Sequence, residues 1–159
     1  MKMVAPLEVG ICCQNLDRLL AFYTGTLGCE LVSDVEVPPA KAQQAALSGS
    51  GYRVVRIQTP WGERLKLLQP KSPPDSSAPT RWILDRRNAA YFTFIVDDLQ
   101  AMIDRLKEAG VELLTGDEGI EVRPATYLAF ARDPEGNVLE FVEYGDIATY
   151  RPDLAAKRS

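Results

Sequence analysis

The sequence contains one pattern of segments twice, and this internal repeat is the feature that most constrains the fold. Glu8 in the first half matches Tyr91 in the second, and Leu16 matches Leu99, at the same offset of 83 residues. The halves also end alike, with Pro60-Trp61-Gly62 in the first and Pro134-Glu135-Gly136 in the second. Self-similarity of this kind indicates duplication of a supersecondary unit whose hydrophobic face is covered when its twin is present. We therefore expect a single domain made of two repeated modules.

Each half is predicted to read strand, helix, strand, strand, strand. Asn15 and Asp98 are the expected N-caps, since their side chains can accept hydrogen bonds from the first helical turn, and apolar residues follow both at helical spacing. Gly110 is expected to end the second helix. The strands predicted after the helices are 29–35, 52–58 and 64–68 in the first half, and 111–114, 127–132 and 138–143 in the second.

These predictions give a fold class of α+β, with one domain over residues 1–159. The first βαβββ module is expected at 7–69 and the second at 89–145, joined by a linker over 70–88 that is rich in proline and serine. A C-terminal tail follows over 146–159. The stretch 38–51, rich in alanine and glutamine, is predicted to be a loop or short helix over the sheet.

Composition excludes several classes of function. The chain is 46% hydrophobic and 25% charged, as expected of a globular protein, and its formal net charge of −4 argues against a nucleic-acid or anionic-membrane partner. There is no apolar run of the ~20 residues that a membrane-spanning helix needs, and the N-terminus lacks a signal-peptide core. We expect a cytoplasmic location with reduced cysteines. The absence of a glycine-rich phosphate loop argues against a nucleotide cofactor.

Several short motifs resemble those of one known superfamily. They are Asn15-Leu16-Asp17-Arg18 with Phe22-Tyr23 and Leu27-Gly28, then Val96-Asp97-Asp98-Leu99, then Asp133-Pro134-Glu135-Gly136-Asn137 with Glu140. Together they resemble the vicinal oxygen chelate superfamily, which includes glyoxalases, methylmalonyl-CoA epimerases, extradiol dioxygenases, fosfomycin-resistance enzymes and bleomycin-binding proteins. The resemblance implies paired βαβββ modules that form an open, curled sheet around a shared cavity, commonly within a homodimer.

The resemblance also implies where a site would lie. Metal-binding members take one ligand from the first and last strand of each module, most often histidine, glutamate or glutamine. The matching positions here are Glu8, Lys66, Tyr91 and Glu140, and the chain contains no histidine. Strand alternation supports this placement independently, since the neighbouring residues on these strands are apolar and would form the opposite face.

The residues at these positions argue against a bound metal. A lysine carries a proton at neutral pH and has no lone pair to donate, and neutral tyrosine binds divalent metals weakly. We therefore expect no cofactor, with Lys66 as the positive charge where relatives hold a cation. A hard cation held by Glu8 and Glu140 with waters is the minority interpretation.

Two interpretations of the four polar residues stay open. They could form a hydrogen-bonded ion cluster that fills the cavity and performs no chemistry. Alternatively, one glutamate acts as a base and Lys66 or Tyr91 as an acid or oxyanion stabiliser, which would suit enolisation, epimerisation or elimination next to a carbonyl.

Six further residues are predicted to contact a ligand. Cys12 would share the face of Glu8, but with no histidine available as a base we interpret it as a small core residue. The tyrosines and arginines could contact an anionic or aromatic ligand. The six are Cys12, Tyr52, Arg56, Arg64, Thr93 and Tyr127.

The preferred functional hypothesis is a metal-independent enzyme of lyase or isomerase type that acts on a small oxygenated metabolite. The alternative is a protein that sequesters a drug-like or aromatic compound, as bleomycin-binding relatives do. A module that serves only protein association, or a metal-dependent glyoxalase- or dioxygenase-like enzyme, is less favoured. The residues that line the predicted cavity discriminate between the enzyme and the sequestering protein. Sequestration needs apolar and aromatic walls, whereas catalysis needs convergent titratable groups.

Overall fold

The computed structural model describes Met3, residues 5–75, Thr80, residues 82–85, Arg87 and residues 89–155. The fold is α+β, with two open sheets and few helices. The chain divides into two compact units, Met1–Pro79 and Thr80–Ser159, and each unit holds one copy of the sequence repeat. Among the helices of the described residues, none is both long and apolar enough to cross a membrane.

The first unit is a four-stranded sheet in the order β1-β4-β3-β2. Strands β1 and β4 run parallel, and the other neighbours are antiparallel. Its elements are β1 (Glu8–Cys12), α1 (Leu16–Ala21), a π-helical turn (Phe22–Thr26), β2 (Glu30–Val37), α2 (Pro39–Gln44), β3 (Tyr52–Gln58) and β4 (Arg64–Pro70).

One face of this sheet is covered by α1. The helix begins at Asn15, whose side-chain oxygen accepts a hydrogen bond from the Arg18 amide at 3.0 Å. Its apolar side chains pack against alternate strand residues, and the resulting core includes Leu16, Leu19, Val55, Ile57 and Leu67, all fully buried. Alternation then turns the intervening residues of the same strands to the other face, where the candidate site lies.

The second unit repeats this plan with one more strand. Its elements are a 3₁₀ turn (Ile83–Asp85), β5 (Tyr91–Ile95), α3 (Leu99–Glu108), β6 (Glu112–Leu113), β7 (Ile120–Arg123), β8 (Thr126–Arg132), β9 (Val138–Tyr144), α4 (Ile147–Tyr150) and α5 (Pro152–Ala155). The strand order is β5-β9-β8-β6, with β7 also paired to β8. Asp98 caps α3 by accepting a hydrogen bond from the Ala101 amide at 2.9 Å.

The predicted order of strand, helix and three strands is confirmed in both halves, and the structure adds β7 and, in the predicted tail, α4 and α5. Strand β7 was not predicted, although its residues Ile120–Arg123 alternate between apolar and polar; it is only four residues long and all four are exposed. The stretch 38–51 contains α2, and β4 runs on to Pro70, the first residue of the predicted linker. Residues 76–79, 81, 86 and 88 of that linker and 156–159 of the predicted tail lie outside the described residues. That the two modules form one domain around a shared cavity stays a prediction.

Candidate functional site

The first unit brings Glu8 and Lys66 together on the sheet face away from α1. In the β1–β4 register Glu8 lies beside Arg64 and Gly10 lies beside Lys66, so these residues share one face. The ammonium nitrogen of Lys66 lies 3.6 Å from Glu8 Oε2, and Arg64 Nη1 lies 4.0 Å from Glu8 Oε1. The three side chains are 33–40% exposed, so the ion group is half-buried.

Arg56 extends this group along β3. It lies directly opposite Lys66 in the antiparallel β3–β4 register, and its guanidinium Nη1 donates to Ser33 Oγ at 3.4 Å. Arg64 donates through Nε to Gln58 Oε1 at 2.9 Å. Among the residues that the structure describes, Glu8 is the one carboxylate within 4.0 Å of Arg56, Arg64 or Lys66, so this face has an excess of positive charge.

The opposite face of β3 carries an arginine whose positive charge is balanced by carboxylates. Arg53 donates through Nε and Nη2 to the two oxygens of Asp34 at 2.9 and 2.7 Å, and through Nη1 to Asp17 at 2.7 Å. The hydrogen bonds from Arg53 lower the pKa of Asp34, and those carboxylates raise the pKa of Arg53. Arg53 and Arg56 therefore lie on one strand in contrasting electrostatic surroundings.

In the second unit Glu140 has a different neighbour. It lies beside Thr93 in the parallel β5–β9 register, and the Thr93 hydroxyl donates a short hydrogen bond to Glu140 Oε2. Tyr91 is on the same face but packs edge-on against Phe130, with ring centroids 5.4 Å apart. Ile95, the next residue of β5 on this face, is 42% exposed. This face therefore combines one carboxylate with aromatic and aliphatic surface.

An aromatic cluster at the end of β9 was not predicted. Tyr144, which lies on the face of Glu140, stacks on Tyr150 of α4 with ring centroids 3.9 Å apart, and the guanidinium of Arg123 lies 4.8 Å from the Tyr150 ring centre. Partial burial and the hydrogen bond to Tyr150 raise the pKa of Tyr144 to about 12, whereas the hydrogen bonds from Tyr144 and Arg123 lower the pKa of Tyr150. The cluster attaches the C-terminal segment to the sheet.

The predicted ligand contacts Tyr52 and Tyr127 are placed differently. Tyr52 lies opposite Pro70 at the start of β3, on the face of Arg56. Tyr127 lies opposite Glu143, on the face of β8 away from Glu140, so the two are not brought together. It lines a separate open cavity of about 510 Å³ beside α3, with Leu99, Gln100, Lys107, Asp117, Glu118, Gly119 and Glu143.

The interpretation of Cys12 as a core residue is wrong, because its side chain is exposed. Its position on β1, two residues from Gly10 and four from Glu8, places it on the site face as expected. Cys13 and Cys29 are the buried cysteines, with relative exposures of 1% and 6%. Burial raises the pKa of the Cys29 thiol to about 11.

These surroundings predict a selective thiol reaction. At pH 8 a disulfide reagent such as DTNB should modify Cys12 in the native protein within minutes, since thiolate character and access govern the rate. Cys13 and Cys29 should react only after unfolding in guanidinium. Absorbance at the reagent's product band, with Cys12→Ser as control, measures this. Native reaction that persists in Cys12→Ser would contradict it.

Comparison with known proteins identifies the family. The model of the Glyoxalase/Bleomycin resistance protein/Dioxygenase superfamily matches residues 5–141. The chain belongs to this superfamily. A glyoxalase family protein from Bacillus cereus has a similar fold, with a TM-score of 0.75, 23% identity, and 90% of this chain and 95% of that chain covered. No curated protein matches the sequence significantly.

More distant relatives of known structure share the fold. Trypanothione-dependent glyoxalase I of Leishmania major aligns with a TM-score of 0.65 and 19% identity, over 96% of this chain and 94% of that one. The fosfomycin resistance protein FosX of Listeria monocytogenes, whose structure contains Mn(II) and sulfate, aligns with a TM-score of 0.60 and 14% identity, over 92% and 96%. At these identities the likeness shows the fold alone.

The residues at the superfamily's ligand positions do not fit a divalent metal. In the first unit the carboxylate of Glu8 faces the ammonium of Lys66 at 3.6 Å, a cation that would repel a second one. In the second unit Glu140 accepts a hydrogen bond from Thr93, and the other ligand position is held by Tyr91, whose neutral phenol binds divalent metals weakly. Within the described parts of each unit, no group of three His, Cys, Asp or Glu side chains is placed to hold a metal ion.

Proposed function

We propose that this superfamily member is a metal-independent enzyme of lyase or isomerase type that moves a proton next to a carbonyl group of a small oxygenated metabolite. One observation supports it above all: Lys66 Nζ lies 3.6 Å from Glu8 Oε2 on a half-buried sheet face. A base and a cationic hydrogen-bond donor are thus neighbours, which is the pair that enolate chemistry requires.

The two side chains have distinct roles in the proposed reaction. The Glu8 carboxylate removes the proton from the carbon beside the carbonyl. The electrons of the broken C–H bond form a C=C bond, and the π electrons of the carbonyl move onto its oxygen to give an enolate. The Lys66 ammonium donates a hydrogen bond to that oxygen as its charge develops. Delivery of a proton from a second acid to the opposite face of the carbon gives an epimer and leaves the first proton on Glu8. Departure of a neighbouring group with its bonding electrons instead gives an elimination product.

The second unit supplies the corresponding candidates. Glu140 is held by the Thr93 hydroxyl, and Tyr91 lies on the same face with 45% of its surface exposed. We assign Glu140 and Tyr91 as the second acid–base pair of the proposal. A carboxylate with a fixed hydrogen-bond donor is oriented for proton transfer, because the hydrogen bond limits its rotation.

Lys66→Met should lower kcat by at least about 100-fold, because it removes the donor that stabilises the developing oxyanion. A thermal-shift screen of 2-oxo and 2-hydroxy acids first identifies a substrate, since a bound molecule raises the melting temperature by mass action. Turnover of that substrate is then measured by NMR. Lys71→Met is the matched control, because Lys71 lies just after β4 and pairs with the exposed Glu36 at 3.5 Å.

Two results would contradict the proposal. Full activity of both Lys66→Met and Glu140→Gln would remove the acid–base assignment. Elemental analysis that finds a stoichiometric divalent metal after exhaustive dialysis would remove the metal-independent mechanism. Circular dichroism of both variants confirms that they fold.

A sequestering protein is the second candidate, and the aromatic surface of the second unit favours it. Tyr91, Phe130 and Ile95 offer flat and aliphatic contacts of the kind that bind an aromatic compound. This candidate requires tight binding of such a compound without turnover. The ion group of the first unit argues for the enzyme, because a purely sequestering wall gains nothing from several half-buried charges.

A further inference from the structure

The positive charges on the site face of the first unit are not balanced. Arg56, Arg64 and Lys66 form what we call the cationic face. In the part of the chain that the structure describes, Glu8 is the one carboxylate within 4.0 Å of these three groups, and it lies near Lys66 and Arg64 rather than Arg56. The face therefore holds more cations than its own carboxylate can neutralise.

The strand register makes this imbalance costly. Arg56 and Lys66 are directly opposite each other on β3 and β4. Side chains in such a pair have Cβ atoms about 5 Å apart, and like charges there are destabilising. Arg53, on the other face of the same strand, is paired with both Asp34 and Asp17. An unbalanced pair on a sheet that balances its other arginine indicates that a ligand supplies the missing negative charge.

The donors beside Lys66 suit a small anion. The neighbour of Lys66 on β3 is the cationic Arg56, whereas at its β1 neighbour Gly10 the place of a side chain is already taken by Leu68, whose Cδ1 lies 3.0 Å from an ideal Cβ there. The guanidinium of Arg56 is held by a single hydrogen bond to Ser33 at 3.4 Å. Its other N–H groups can therefore donate to an oxyanion. All three cations are half-buried, and charge interactions are stronger there than in bulk water.

We infer that Arg56 and Lys66, assisted by Arg64, bind the carboxylate or phosphate group of the substrate. This inference rests on the proposed function and deepens it by naming the substrate class: an anionic metabolite whose oxyanion lies between β3 and β4. Such anchoring brings the adjacent carbon of the metabolite towards Glu8, which is on the same face beside Arg64.

The test measures binding of two simple probes, inorganic phosphate and malonate, by isothermal titration calorimetry at low ionic strength. Arg56→Gln should weaken binding roughly tenfold, the loss expected for one half-buried charge contact. Arg53→Gln is the matched control, because it makes the same change of charge on the same strand but the opposite face. It should leave the affinity within about twofold. The stronger-bound probe distinguishes a phosphate from a carboxylate substrate.

Two further measurements, of phosphate affinity and of melting temperature, should change in a defined direction. Glu8→Gln should tighten phosphate binding severalfold, because it removes the one negative charge beside the cations. Arg56→Gln should melt, without ligand, at or above the wild-type temperature, because it removes the like-charged neighbour of Lys66. A lower melting temperature for Arg56→Gln would overturn the charge argument.

The inference fails if the wild type binds neither probe, or if Arg53→Gln and Arg56→Gln weaken binding equally. These outcomes are separable from failure of the proposed function. Loss of turnover in Lys66→Met without any binding of phosphate or malonate would remove only the inference. Binding that depends on Arg56 in a protein that turns over none of the anions it binds would remove only the catalytic proposal.

Discussion

Phe141→Ala is expected to lower the free energy of unfolding by about 3–5 kcal/mol, the usual cost of emptying a large buried aromatic site. Phe141 is 1% exposed and lies on β9, the strand between β5 and β8. Its ring stacks on Phe94 of β5, with centroids 5.4 Å apart, and its neighbour on β8 is the fully buried Ala129. Because β9 also presents Glu140, the loss of packing would affect the strand that holds the second-unit carboxylate.

Urea denaturation followed by circular dichroism measures this change, with the free energy extrapolated linearly to water. Phe141→Leu is the control, since it keeps most of the buried apolar surface and leaves a smaller cavity. Phe141→Leu should lower the free energy of unfolding clearly less than Phe141→Ala does. A loss below about 1 kcal/mol for Phe141→Ala would mean that this position is not a packed core site.

Local patterns in the sequence predicted the strands well where a turn or cap bounds them. The limits of β3, Tyr52–Gln58, agree with the prediction because the turn that follows contains proline and glycine at positions that end pairing. The caps at Asn15 and Asp98 are likewise local and were confirmed. Strand β7 does alternate between apolar and polar residues, but it is only four residues long with all four exposed, and its pairing to β8 was missed.

The candidate site was predicted from the superfamily resemblance, with strand alternation as support. The resemblance placed Glu8 with Lys66, and the structure brings the Lys66 ammonium to 3.6 Å from the Glu8 carboxylate. It also placed Tyr91 with Glu140 on one face, yet Glu140 bonds to Thr93 and Tyr91 packs on Phe130. The reason is register: which residues of two parallel strands lie side by side depends on long-range pairing, which alternation within one strand does not fix.

The pairing of Arg56 with Lys66 in the β3–β4 register could have been found in the sequence. Their strands form a hairpin, and counting outward from its turn pairs Gln58 with Arg64 and therefore Arg56 with Lys66. Two cations facing each other across a hairpin are unusual, because sheets favour opposite charges at such positions. Counting register across short hairpins, before any fold is known, would have singled out this pair as a candidate anion site.

Asp133→Ala is expected to lower the free energy of unfolding by about 2–4 kcal/mol, because it removes a buried acceptor and leaves three half-buried donors without it. Asp133 is 4% exposed and lies in the turn between β8 and β9. Its Oδ1 accepts hydrogen bonds from the amides of Glu135 and Asn137, both at 2.9 Å, and its Oδ2 accepts one from the side-chain amide of Asn137 at 2.9 Å. One carboxylate thus organises the whole turn.

Two variants separate the contributions within this turn, again by urea denaturation. Asp133→Asn keeps one acceptor oxygen for the two backbone amides. It should therefore lower the free energy of unfolding less than Asp133→Ala does. Asn137→Ala removes only the side-chain hydrogen bond to Oδ2 and should cost about 1 kcal/mol. Equal losses for Asp133→Ala and Asn137→Ala would mean that the backbone hydrogen bonds contribute nothing. The turn sets the register that places Phe130 opposite Glu140, so its loss should also disturb the second-unit face.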